Sequence, residues 1–171
     1  VEERDIRYLR LCFTDVLGNL KALSISPEEL EEAFVEGIGF DGSSVDGFAS
    51  QAQSDLLAFP DAATFQVLPW ENDGEAVANV FCDIQTPSRT PFEGDPRRVL
   101  ERAFRKADEK GYTMNVGPKL EYFYFTDSVH PTPIDHAGYL DLASSDLSHD
   151  LRYATTRALE AMSIPVQYSF H

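Results

Sequence analysis

The stretch Gly37-Ile38-Gly39-Phe40-Asp41-Gly42-Ser43-Ser44-Val45-Asp46-Gly47-Phe48 constrains the fold most. Its four glycines in twelve residues give a backbone free to take positive φ and to approach its neighbours closely. Between them lie the carboxylates of Asp41 and Asp46, the hydroxyls of Ser43 and Ser44, and two phenylalanines. A flexible linker would lack aromatic anchors. Here Phe40 and Phe48 are placed to pin a rigid turn at both ends while Asp41, Ser43 and Ser44 point outward. The plainer alternative is an Asp-Gly turn joining two elements.

The 171 residues suffice for one good core or two small ones. A formal charge of −15 argues against nucleic acid, which needs clustered Lys and Arg, and against an anionic membrane surface. A metal cation or an ammonium ion is a more natural guest for such a field, although most surplus carboxylates serve solubility. Cys12 and Cys82, the only cysteines, sit in apolar runs and form no C-x-x-C, so buried free thiols in a reducing cytoplasm are expected. No apolar run approaches the ~20 residues of a membrane span.

Ile6 to Thr14 alternates, with Leu9, Leu11 and Phe13 on one face, and Leu17-Gly18-Asn19 turns it into a returning strand from Leu20 to Ile25. Ser26-Pro27-Glu28-Glu29 opens a helix, with Ser26 as N-cap and Glu29 completing a capping box. Leu30, Ala33 and Phe34 form its apolar stripe, and Gly37 ends it. Strands are predicted at Thr64–Leu68 and Ala76–Ile84, separated by a polar turn at 70–74. Hairpin, helix and further strands are the order of a β-grasp sheet, so the class is α+β. Gln85 to Gly94 reads as a domain boundary, dividing the chain at 1–92 and 93–171. Beyond it Asp95 caps a helix whose buried face is Val99, Leu100, Ala103, Phe104 and Ala107. Strands are expected at Tyr112–Val116, Leu120–Phe125 and Val166–Phe170, and a helix at about Ser145–Met162. The chain stops at His171 without a polar tail, as a truncated chain would, or as one whose last strand pairs upstream.

Phe40-Asp41-Gly42-Ser43-Ser44, Ser54-Asp55, Pro60-Asp61, Asp95-Pro96-Arg97, and Gly117-Pro118 before Glu121-Tyr122-Phe123 occur in an order and spacing that resemble the N-terminal portion of bacterial-type glutamine synthetase. The resemblance implies a β-grasp domain followed by the start of a catalytic domain, in less than half of a family member. It also implies an ATP-dependent ligase that phosphorylates L-glutamate to an acyl phosphate, which ammonia then attacks, with Mg2+ or Mn2+ holding the nucleotide. The partners so implied are glutamate, ammonium, ATP and neighbouring copies in a ring-shaped homo-oligomer, whose β-grasp loop completes a neighbour's active site. The piece itself is expected to be inactive. Glutamate–amine ligases share this plan, and a non-catalytic β-grasp assembly module is the reading outside enzymes.

By the same resemblance Asp41 stands where the family holds ammonium and takes its proton, which is sound chemistry for a carboxylate beside a cation. Ser44 helps surround that ammonium, and Tyr139 matches an aromatic hydroxyl lining the pocket. Residues two apart in a strand share a face, so Lys119 and Glu121 project together. The family carries metal-binding glutamates at both positions. Glu121 fits one divalent ion, but a protonated lysine cannot coordinate a metal. Lys119 either replaces one cation with a fixed charge or marks a damaged metal site. Phe48 stands where the family commonly has Trp. His130, His136 and His149 lack metal-ligand spacing, and His171 falls next to where the family carries further metal-binding glutamates.

Overall fold

Apolar alternation sets the sheet. The computed structural model describes residues 5–48, 54–70, 75–142 and 148–171. They divide into two compact units, Val1–Asn115 and Val116–His171. Strand β1 (Ile6–Thr14) buries Leu9, Leu11 and Phe13 on one face, as its pattern requires, and pairs antiparallel with β2 (Leu20–Ile25), Leu11 opposite Leu23. Strand β1 also runs parallel to the long central strand that follows later in the chain.

After the 3-10 turn Pro27–Glu29 comes helix α1 (Leu30–Val35). Ser26 caps the turn by accepting from the Glu28 N–H at 3.2 Å, rather than through the expected box with Glu29. Ala33 is buried and Leu30 packs on the core, while Phe34 is 42% exposed. Gly37 closes the helix at φ +74, where a Cβ would fall 2.8 Å from the Phe59 ring, so only glycine fits.

The glycine-rich stretch is not all loop. Its front half is strand β3 (Ile38–Asp41), antiparallel to β4 (Asp55–Pro60), with Phe40 opposite Leu56. The expected strand at 64–68 shrinks to β5 (Gln66–Val67), because Asp61 accepts from the Ala63 N–H and folds Ala62–Thr64 into a 3-10 turn. The 71–74 part of the expected polar turn lies outside the described residues. Strand β6 (Ala76–Gln85) meets β1 along its first part and β4 along its last, giving the order β2-β1-β6-β4-β3 with β5 also on β6. One helix after a hairpin, with β1 and β6 parallel at the centre, is a β-grasp arrangement. Cys12 and Cys82 are free and buried, and burial pushes the Cys82 thiol up to about 12.

The 85–94 connector folds back tightly, with Phe92 N–H on Ile84 O at 2.9 Å. Helix α2 (Pro96–Asp108) begins at Asp95, whose buried carboxylate accepts from the Arg97 N–H at 2.9 Å and the Ile84 N–H at 3.0 Å. Arg97 in turn bonds Asp61 and lies 2.9 Å from Asp83. The face expected to be buried is half open: Val99, Leu100 and Phe104 are 52, 49 and 40% exposed.

In the second unit the strands expected at 120–125 and 166–170 are absent, as is the one expected at 112–116. Strands form only with partners, and here one isolated bridge, Phe125 to Pro133, is made. The alternation nonetheless persists, with Tyr122 against Tyr124 at 5.3 Å and Phe123 against Phe125 at 6.5 Å between ring centres. Helix α3 (His149–Ala161) starts later than expected, residues 143–147 lying outside the described ones. Ser163 at φ 59 and then Pro165 end it. No helix among the described residues is long and apolar enough to cross a membrane.

Asp95 joins α2 to β6, so Asp95→Ala removes a cap and strands the Ile84 N–H. The expected loss in urea unfolding is about 2–4 kcal/mol, against about 1–2 kcal/mol for Asp95→Asn, which keeps one of the two acceptor oxygens. Equal losses for the two variants would contradict this role.

Candidate functional site

Asp41 ends β3 exposed to solvent and caps the 3-10 turn Gly42–Ser44. Its Oδ1 accepts from the Ser43 N–H at 2.9 Å and the Ser43 hydroxyl at 2.7 Å, and its Oδ2 from the Ser44 hydroxyl at 3.2 Å. Hydrogen bonds to the ionised form favour it, so Ser43 first, with Ser44 adding, holds this carboxyl below the ordinary aspartate range. The turn residue and the outward carboxylate, alternatives in the sequence, are one object here. Asp41 shapes the turn and faces water from it.

Behind the turn the structure is stiff. Phe40 and Phe48 both lie against Phe13, at 5.0 and 5.8 Å, and Phe48 meets Phe92 at 5.4 Å. Gly42 N–H bonds Ser54 O at 2.7 Å, and a Cβ on Gly42 would sit 2.4 Å from Leu56 Cδ1. Gly47, at φ +76, rests on Val16, whose Cγ2 would be 2.3 Å from an added Cβ. Sequence reasoning missed the residue that holds Val16 in place. Asp15 is fully buried and accepts from the backbone N–H groups of Leu17 and Asn19 and from the Asn19 amide, at 2.8–3.0 Å. The only signal for it was its place before a Gly-Asn turn.

The other candidates lie in the second unit. Lys119 Nζ sits 2.5 Å from Glu121 Oε1, so the two do share a face. Each strengthens the other's charge: Lys119 holds the Glu121 carboxyl below its ordinary range, while Glu121 first, with Tyr168 and Tyr139 adding, holds Lys119 above its own. Tyr139 thus belongs to the surroundings of Lys119. Its exposed ring meets Phe170 edge-on at 5.4 Å, and Phe170 stacks on Tyr168 at 5.8 Å. From the sequence pattern Tyr168 and Phe170 stand out only as part of a closing strand. His171 Nε2 lies 2.9 Å from Asp135 Oδ1. Asp41 and Ser44 are therefore together in one unit, and Glu121 and Tyr139 near Lys119 in the other.

Hard divalent cations take about six or more oxygen ligands, several of them carboxylates. Among the described residues no three His, Cys, Asp or Glu side chains gather in that way. The one carboxylate expected to bind a metal, Glu121, already faces an ammonium group. These residues by themselves do not fit a two-ion site.

The chain matches two family models, the glutamine synthetase β-grasp domain over residues 5–87 and the glutamine synthetase catalytic domain over 93–171. It is 49% identical to a glutamine synthetase of Mycobacterium tuberculosis H37Rv over all of this chain and 40% of that protein. For the enzyme of Thermotoga maritima the identity is 43%, with the same coverage. The chain thus spans about 40% of the length of the curated relatives it matches. Among solved structures, Plasmodium falciparum glutamine synthetase superposes with a TM-score of 0.78 over 100% of this chain and 40% of that one, at 19% identity, which speaks to fold alone. A GmaS–ADP complex reaches a TM-score of 0.58 at 30% identity, over 64% of this chain and 24% of that one.

Because Asp41 is held ionised, its bonds stabilise the turn above the usual carboxylate range. That contribution is lost only as the pH falls through the lowered value. An NMR titration of the Asp41 carboxyl carbon is expected to show a midpoint below that of an ordinary aspartate, and Ser43→Ala is expected to move it up. An unmoved midpoint would mean the Ser43 bonds are not made in solution.

Proposed function

The chain belongs to the glutamine synthetase family, and from that premise we propose that it is the N-terminal portion of an ATP-dependent glutamate–ammonia ligase that works as a ring of identical copies. In this reading the complete protein phosphorylates the side-chain carboxylate of glutamate, and ammonia displaces the phosphate from the acyl phosphate. The loop of one copy is lent to the active site of an adjacent one. Divalent metal, Mg2+ or Mn2+, supplies charge neutralisation at the nucleotide when bound. Glu121, which the resemblance assigns to that metal, is paired with Lys119 in this segment.

The observation that carries the proposal is the Asp41 carboxylate, exposed yet held ionised on a braced turn. An anion so placed attracts a small cation such as ammonium, and its free lone pairs accept the cation's N–H groups. The Ser43 and Ser44 bonds make it a better anion and a weaker base. Holding the ammonium is therefore favoured, and relaxation of those bonds as the nucleophile forms would favour proton removal. Ser44, on the Oδ2 side, adds a hydroxyl to the same face. Tyr139 is assigned to the same pocket by family resemblance.

Phe48 supplies no argument for a larger amine substrate. Its ring turns into the core against Phe13 and Phe92 and does not line the exposed face of the turn.

In the full-length protein, Asp41→Asn is expected to lower glutamine formation from ammonia about 10²–10⁴-fold, with thermal unfolding little changed, since an amide oxygen can still accept from Ser43. Ammonia is expected to outcompete methylamine as nucleophile. Normal turnover in Asp41→Asn would remove Asp41 from the mechanism, and a preference for methylamine would move the proposal to amine ligation.

A further inference from the structure

Lys119 and Glu121 stand two residues apart and meet side by side. Further along the same stretch Phe123 pairs with Phe125 and Tyr122 with Tyr124. The ion pair of Lys119 and Glu121 is made, at 2.5 Å, yet its side chains are 66 and 75% exposed. Ion pairs this open contribute little to holding a fold together. Stability therefore does not account for a lysine at this position.

A divalent cation approaching Glu121 would meet a like charge already seated on the carboxylate, and no cluster of further ligands among the described residues offsets it. The ammonium carries the positive charge such an ion would bring, and it does so without a chelating cage. A lysine Nζ also binds phosphate oxygens as a point charge.

We infer that the Lys119 ammonium takes the place of one divalent cation, so that the site works with one metal ion fewer per chain than it would with a carboxylate at position 119. This deepens the ligase reading and rests on it.

The test counts Mn2+, used alone as the probe, on the full-length wild-type protein, K119E and K119Q. Free Mn2+ is followed by its paramagnetic resonance signal, and glutamine formation is assayed on the same preparations. The wild type is expected to bind one Mn2+ per chain fewer than K119E. K119Q, which matches the glutamate in size and offers an oxygen donor without its charge, provides the comparison should K119E fail to assemble. A gain of one ion in either variant supports the inference. Equal counts in the wild type and both variants overturn it, and if glutamine still forms the ligase reading survives that result. A lower wild-type count in a protein that forms no glutamine would do the reverse, overturning the ligase reading while leaving the charge substitution in place.

Discussion

Phe13 lies against both Phe40 and Phe48, and those ring contacts hold the glycine-rich turn to the sheet. The three rings come from β1, from β3 and from the end of the glycine-rich turn. With Phe92 added from the connector, four separate stretches meet in one aromatic row. Each offset or tilted ring pair contributes about 0.5–1.5 kcal/mol beyond the area it buries. More important than that sum is its geometry: both ends of the turn are fixed to the central sheet, so the residues between them cannot collapse inward. Asp41 stays outside because its neighbours on either side are inside.

That division of labour explains which features were legible. The aromatic anchors and the acidic, hydroxylated turn could be read directly, since each depends on residue type and local spacing. The projection of Lys119 beside Glu121 followed from a period of two and survives in an extended stretch that never becomes a strand. Strand β4 was harder to see. Its hydrogen-bond partner β3 is hidden in glycines, and it ends on Pro60, which looks like a break.

Long-range contacts were the least legible. Helix α2 was visible with its Asp95 cap, but the burial of Val99, Leu100 and Phe104 depends on what packs on them, which no periodicity records. The strands expected in the second unit failed for a similar reason: propensity proposes an extended chain, and a partner must complete the ladder. Asp15 escaped because its work is done through the backbone N–H groups of a turn, and Val16 because its contact is with a residue that has no side chain.

The charges of the two units are managed in opposite ways. In the first, hydroxyls and backbone N–H groups surround an aspartate, leaving its charge unneutralised and available to a cation. In the second, a glutamate meets a lysine and its charge is cancelled within the chain. An acidic protein of net charge −15 thus leaves one carboxylate open to solvent and pairs another within the chain.

The central claim is that the turn bearing Asp41 is rigid and belongs to the sheet. Amide hydrogen exchange at Gly42, Val45 and Phe48 addresses it most directly, since their N–H groups bond Ser54 O, Gly42 O and Val45 O. Protection approaching that of β3 and β4 is the expected result. Exchange at the rate of an unstructured peptide would show that the aromatic row does not hold the turn, and the account built on it would fail.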